Sequence, residues 1–296
     1  MKILITGGSG RIGFKLVKRF ASSANEVVSI SKGSTINIPK VKSSSFDLVD
    51  AEKTSKAIND FIPDIVMHTA ALTNVDMCET DPKLAYEQNV TATANVIEGC
   101  KKANSKLIFV SSSFVFDGKG ELFTEDSEPC PINYYGKTKQ IAEEAVKDSG
   151  LDYLILRTDQ PYGKLEAWQK DDNVRRVLKA LQQNKEVHEP LDWYNNPTYI
   201  NNFVDATAEL IKKGSNGIFN LVGKDFINRY EWAIKIANIF DKDTTNIEAV
   251  DSISFHLSAI RPTANVSNDK VIKETGVKFF GVEEGLLELK KVAYQD

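Results

Sequence analysis

Tyr135 and Lys139 stand four residues apart in a stretch with helical spacing, so both head groups reach one side of a helix. The pair suits one chemistry. A carbonyl that receives a hydride becomes an alkoxide and needs a proton at that moment. A phenol can supply it, and an adjacent ammonium favours the phenolate left behind. A YxxxK pattern is common by itself, and its weight comes from its company. Ser112 lies in the stretch VSSSFVFDG, residues 110–118, where an apolar strand runs out. A hydroxyl at the carboxyl end of a parallel strand sits where ligands bind in such sheets, and it can hydrogen-bond the reacting oxygen.

The sharpest local signal is TGGSGRIG, residues 6–13, in which Gly7, Gly10 and Gly13 are spaced three apart. The run follows a strand and opens a helix. Glycines let the backbone turn tightly and approach a pyrophosphate, and the helix aims its free amides at that phosphate. This is a dinucleotide turn, with Arg11 and Ile12 on its helical side. The end of the second strand decides between the two nicotinamide dinucleotides. An Asp or Glu there would hold the ribose hydroxyls of NAD. The chain instead has Ser31, Lys32, Gly33 and Ser34, and Glu26 comes too early. Lys32 and Arg11 are the cations available for a 2′-phosphate, so the balance favours NADP(H) over NAD(H).

Elements that could position these residues follow from the hydrophobic pattern. Short apolar runs at 2–6, 26–30, 41–46, 64–69, 106–111 and 152–157 read as strands. Helical stripes alternate with them at 11–22, 51–61, 82–103 and 134–147. Strands alternating with helices imply an α/β fold with a Rossmann-type doubly wound parallel sheet, buried on both faces. Past Gly163 the regularity weakens. Helices are expected at 173–183, 203–213, 228–240 and 283–292, and a strand at 217–222. The division expected is a dinucleotide-binding domain of residues 1–163 and 199–222, with a smaller C-terminal substrate-binding domain of 164–198 and 223–296.

Composition excludes several classes. The 296 residues carry 37 Lys and Arg against 41 Asp and Glu, a formal charge of −4, which argues against a nucleic-acid grip. No apolar run approaches a membrane span or a signal peptide. Cys78, Cys100 and Cys130 are odd in number and widely spaced, so they read as buried free thiols of a cytoplasmic protein. His68, His188 and His256 are scattered, and no metal site is expected.

The ordered set of glycine turn, Ser112, Tyr135 and Lys139 resembles the extended short-chain dehydrogenase/reductase superfamily. Within it, the chain is similar to the dTDP-4-dehydrorhamnose reductases. Residues 111–118, SSSFVFDG, resemble that family's STDYVFDG text, and residues 133–139 with Glu143 resemble its tyrosine motif. Thr73, Asp76, Glu79, Tyr86 and Asn89 follow a further family stretch, as do Asn196-Pro197-Thr198 and Arg261-Pro262. The resemblance implies Ser112, Tyr135 and Lys139 as catalytic hydroxyl, proton donor and ammonium. It implies that Gly7, Gly10, Ile12 and Gly13 pack on the pyrophosphate, that Asp47 and Leu48 lie near the adenine, and that Thr69, Ala70 and Ala71 line the cofactor. Asn89 is implied as a partner of Lys139 through water. Thr73, Val75, Gln160, Trp193 and Arg261 fall in the implied substrate region, with Arg261 suited to a diphosphate.

The implied activity is reduction of a keto group on a nucleotide-linked deoxysugar, as in dTDP-L-rhamnose synthesis. The implied partner is the nucleotide sugar, with a homodimer as an open assembly state. The departures cluster at the substrate. Ser112 replaces the family's Thr, Phe114 a Tyr and Gln160 a Trp; Trp193 is a candidate replacement for that lost aromatic surface. Two alternatives therefore stay open: an NAD-dependent nucleotide-sugar epimerase or dehydratase, and a non-catalytic NADP-binding regulatory subunit.

Overall fold

The computed structural model describes residues 1–293. β1 (Lys2–Thr6) leads through the glycine turn into α1 (Arg11–Ala21), β2 (Glu26–Ser31), β3 (Val41–Ser45), α2 (Ala51–Phe61) and β4 (Ile65–His68). After α3 (Val75–Thr80) come α4 (Pro82–Tyr86), a π-helical turn (Glu87–Thr91), α5 (Ala92–Ala103) and β5 (Lys106–Ser112). A 3₁₀ turn (Ser113–Val115) precedes α6 (Tyr134–Lys147) and β6 (Tyr153–Thr158). The rest comprises α7 (Asn173–Gln182), β7 (Val187–Pro190), β8 (Tyr194–Asn195), α8 (Ile200–Lys212), β9 (Gly217–Asn220), β10 (Ile227–Asn228), α9 (Arg229–Ile239), β11 (Ile247–Val250), α10 (Asp269–Thr275) and α11 (Val282–Ala293).

Seven strands form one parallel sheet in the order β3-β2-β1-β4-β5-β6-β9. The chain winds outward from β1 to β3, then returns to place β4 on the other side of β1. That reversal opens a crevice at the carboxyl ends of the strands, the place where doubly wound sheets take ligands. Both faces are covered, as the uninterrupted apolar strands require. Along β1 the alternation is direct: Ile3 and Ile5 pack in one core with Phe14 of α1 and Phe203 of α8. Leu4 packs in the opposite core with Ile58 of α2 and Val96 of α5. A third core is separate from the sheet, built by α7, α9 and α11 around Val177, Trp232 and Leu286.

One expectation gains a detail and another is corrected. The single helix read at 82–103 runs its full length without a break but carries an internal π-helical turn that the pattern did not mark. The extra residue that such a turn accommodates lets Asn89 leave the helical stripe and face inward. Cys130, expected buried with the other thiols, is exposed, because it lies in the loop before α6.

α6 carries the Tyr135–Lys139 pair and is held to the sheet in three ways. Asn133 caps it, its Oδ1 accepting from Gly136 N at 2.8 Å while its Nδ2 donates to Ile260 O at 2.8 Å. Gly136 allows contact with the 3₁₀ turn: a Cβ there would stand 2.1 Å from Phe114 O. Finally, Glu143 accepts a fork of two bonds from Arg157 of β6, at 2.9 and 2.7 Å, with both side chains 1% exposed. Removing one member of such a pair strands a buried charge. Glu143→Gln is therefore expected to cost about 3–5 kcal/mol of unfolding free energy, read as a lower denaturation midpoint, and an unchanged midpoint refutes this role.

Candidate active site

Ser112 ends β5 and Tyr135 opens α6, and the packing of Gly136 on Phe114 draws these two termini together. The Ser112 hydroxyl accepts from Phe114 N at 3.3 Å and lies close enough to the Tyr135 phenol to lower its proton affinity. The rings of Phe114 and Tyr135 meet edge-on at 5.6 Å. One turn further, the Lys139 ammonium donates to Val110 O at 2.8 Å and lies 4.0 Å from the centre of the Phe109 ring. Burial sets the proton affinities. It pushes the Tyr135 hydroxyl up to about 12, against the Ser112 hydroxyl that lowers it. It holds Lys139 down to about 7, with the Glu143 carboxylate pulling the other way. His68 is the nearby imidazole, and burial depresses it to about 3, with the Lys139 charge adding. It is locked between Thr6 Oγ1 at 2.7 Å and Thr93 Oγ1 at 3.0 Å, so it serves as a neutral spacer in the core.

A cleft of about 660 Å³ opens over the carboxyl ends of β1, β2 and β4. Gly7, Gly10, Arg11, Ile12 and Gly13 form its floor. The turn is tight: a Cβ on Gly13 would lie 2.2 Å from Gly7 O, and Gly7 has φ +69°. α1 starts at Gly10 with no side-chain cap, which leaves its first amides free toward the cleft. Unpaired amides at a helix N-terminus, on a floor without Cβ atoms, fit a dinucleotide pyrophosphate. Ser31, Lys32, Asp47 and Leu48 line the far end, and Thr69, Ala70 and Ala71 the side toward β4.

Lys32 and Asp47 are ion-paired at 2.6 Å, and Gln88 donates to the same carboxylate at 3.1 Å. Asp47 is pulled below the usual carboxylate range by these bonds despite partial burial, which is the largest influence and raises it. Arg11 does not join this end. Its Nη1 donates to Pro161 O at 3.4 Å, beyond β6, which is four strand steps away from β2, the strand that Lys32 follows. At roughly 4.8 Å per strand step, one phosphate cannot bridge Lys32 and Arg11, so the joint 2′-phosphate contact expected of them is corrected. Asn89 spans Leu72 instead of lining the cleft. Its Oδ1 accepts from Leu72 N at 2.7 Å, and its Nδ2 donates to Leu72 O and to Thr138 Oγ1 at 3.1 and 3.0 Å.

A second cavity of about 270 Å³ adjoins the first. Thr73, Val75, Gln160, Trp193 and Arg261, from four separate stretches of chain, all line it. Arg229 and Arg261 lie over the Trp193 ring at 5.0 and 5.6 Å, so guanidinium groups occupy the aromatic surface expected to face a sugar. Arg261 also pairs with Asp76 at 2.5 Å. Gln160 has φ +36°, a strained value for a side-chain-bearing residue, and its Oε1 accepts from Arg229 at 3.3 Å.

Sequence reasoning missed Lys170, Asn173, Arg176 and Arg229, which also line this wall beside the carboxylates Asp171 and Asp172. No motif marks them, because α7 and α9 meet only in the third core. Asn173 Oδ1 accepts from both Arg176 and Arg229, and Glu189 pairs with the same two arginines. Among the described residues, Asn173 Nδ2 and Trp193 Nε1 are buried donors without an acceptor. The cavity therefore offers cations and spare N–H groups, the equipment for an anionic, oxygen-rich ligand.

Residues 1–292 match the family model described as RmlD substrate binding domain. The methionine adenosyltransferase 2 subunit beta of Rattus norvegicus is 29% identical over 254 residues, covering 84% of this chain and 75% of that protein. The spore coat polysaccharide biosynthesis protein SpsK of Bacillus subtilis is 26% identical over 278 residues, covering 94% and 92%. The crystal structure of a dTDP-4-dehydrorhamnose reductase from Clostridium acetobutylicum superposes with a TM-score of 0.87 at 25% identity, covering 99% of each chain. With its parallel sheet, its glycine turn and its Ser-Tyr-Lys set, the chain belongs to the RmlD substrate binding domain family of extended short-chain dehydrogenases/reductases and is an NAD(P)H-dependent oxidoreductase.

Proposed function

We propose that the protein reduces a keto group on a nucleotide-linked deoxysugar, as the dTDP-4-dehydrorhamnose reductases do. One observation carries the reading. Ser112 ends β5 and Tyr135 and Lys139 stand one turn apart on α6, while two neighbours of Tyr135 line the adjoining cavities, Phe114 the second and Arg11 both. The dinucleotide supplies the hydride. Ser112 hydrogen-bonds the keto oxygen, Tyr135 gives it a proton, and the Lys139 ammonium lowers the cost of the phenolate. The arginines of the second cavity take the diphosphate.

NADP(H) remains the favoured cofactor on Lys32 alone. A 2′-phosphate at the far end of the cleft competes with Asp47 for that ammonium. A second reading, a regulatory subunit, is favoured by the relative named as a subunit of methionine adenosyltransferase. The complete hydroxyl–phenol–ammonium set argues for turnover instead, and a regulator has no need of it.

Three outcomes test this. Tyr135→Phe is expected to lower kcat by about 10²–10⁴-fold with a dTDP-4-keto-6-deoxy sugar, while cofactor binding stays intact. Full biological activity in that variant would establish the regulatory reading. The pH profile follows from the Lys139 ammonium, whose proton is lost near 7 in the free protein. Because kcat/KM reports the free enzyme, it is expected to be highest below 7 and to fall as pH rises. A profile flat from 6 to about 9 contradicts a charged Lys139 in the reaction. Lys32→Ala is expected to weaken NADPH binding roughly 5- to 10-fold, the loss of one exposed charge contact. NADH binding should barely change, and equal losses would place the 2′-phosphate elsewhere.

A further inference from the structure

Arg11 occupies an unusual position for a residue of a dinucleotide turn. Its backbone is the first residue of α1, on the cleft floor. Its side chain leaves that floor for the partition between the two cavities. Arg11, Thr73 and Lys170 line both cavities. The guanidinium has five N–H donors. Among the described residues it makes one hydrogen bond, the 3.4 Å contact to Pro161 O, and no ion pair within contact distance.

Around it, Asp172 and Tyr135 favour its charge and Arg175 opposes it. Asp172 is committed elsewhere. Its two oxygens accept from Gly163 N at 3.1 Å and from Arg175 N at 2.8 Å. Burial has lowered the affinity of Arg11 for its proton, the signature of a cation taken from water without a close carboxylate in exchange. The other arginines of the wall are unlike it: Arg176 and Arg229 share Glu189, and Arg261 has Asp76. Arg11 is thus the wall arginine with free donor capacity, alongside the Lys170 ammonium, and its charge is felt by Tyr135.

We propose that the Arg11 side chain serves the second cavity, gripping the diphosphate of the nucleotide-linked substrate in a two-pronged contact, while only its backbone serves the dinucleotide. This rests on the nucleotide-sugar reading above and assigns to a cofactor-turn residue a part in substrate selection. Guanidinium geometry matches phosphate oxygens two at a time, whereas an ammonium offers a point charge.

The experiment titrates dTDP and UDP, as diphosphate probes, into protein already saturated with NADP⁺, so that the first cleft is filled. Cofactor affinity is measured separately by quenching of tryptophan fluorescence, since Trp168 lines that cleft. Arg11→Gln is expected to weaken the better diphosphate probe about tenfold or more and to change cofactor affinity less than about twofold. Arg11→Lys should fall between wild type and Arg11→Gln. Retained cofactor binding shows that both variants are folded. If wild type binds a diphosphate and Arg11→Gln binds it equally, the assignment of Arg11 is wrong while the nucleotide-sugar reading stands. If Arg11→Gln loses the cofactor and keeps the diphosphate, the side chain belongs to the dinucleotide and the proposal falls. If cofactor-loaded wild type binds neither probe, the nucleotide-sugar reading itself fails, and the Arg11 inference with it.

Discussion

The seating of α6 against the sheet is the constraint on which the site depends. Tyr135 and Lys139 are one helical turn apart, so their separation is a property of the helix. Their distance from Ser112 is a property of packing. Gly136 brings the α6 backbone onto Phe114 O, Asn133 fastens the first turn to Ile260, and Glu143 locks the third turn to Arg157 of β6. A single added methyl at Gly136 would force the helix outward, because backbone atoms cannot yield as a flexible side chain can. The buried Glu143–Arg157 pair also feeds the chemistry, since the same carboxylate supports the charge on Lys139.

Burial gives the site its electrostatics. In water a phenol and an ammonium near neutral pH are far from proton exchange. Here dryness brings the Lys139 ammonium toward neutral pH and takes the Tyr135 phenol further from it, so the ammonium is poised where a nearby anion restores its proton. The second cavity obeys a similar logic. Its cations lie within a protein of net charge −4, and their local arrangement sets the attraction for an anion. Most are already partnered by Glu189 or Asp76, which fixes their geometry at the expense of free charge. Among the arginines, Arg11 is partnered least.

Much of this was readable in advance. The glycine spacing, the continuous apolar strands and the YxxxK pair are local features, dictated by backbone geometry over three to eight residues. They put the glycine turn after β1, Ser112 at the end of β5 and the Tyr135–Lys139 pair on α6, where the structure has them. The five residues assigned to the substrate by resemblance also meet in one cavity. Less was legible where a side chain had a choice of neighbours. Asn89 sits in a stretch with uniform helical periodicity, and nothing in that pattern marks the π-helical turn that swings it toward Leu72 and Thr138. Trp193 offered an aromatic face by type, yet that face is taken by arginines from other segments.

Lys32 and Arg11 show the division most plainly. By residue type both are cations flanking a dinucleotide turn, and the sequence by itself determined that turn, its helix and the parallel sheet beneath it. Those follow from φ/ψ freedom at glycine and from burial periodicity, which act along the chain. Only the tertiary structure decided that Lys32 faces Asp47 at one end of the sheet while Arg11 faces Pro161 and Tyr135 near the other. The reason is physical: a long side chain goes where desolvation, opposite charge and free acceptors lead it, and those are set by segments that fold in from elsewhere in the sequence.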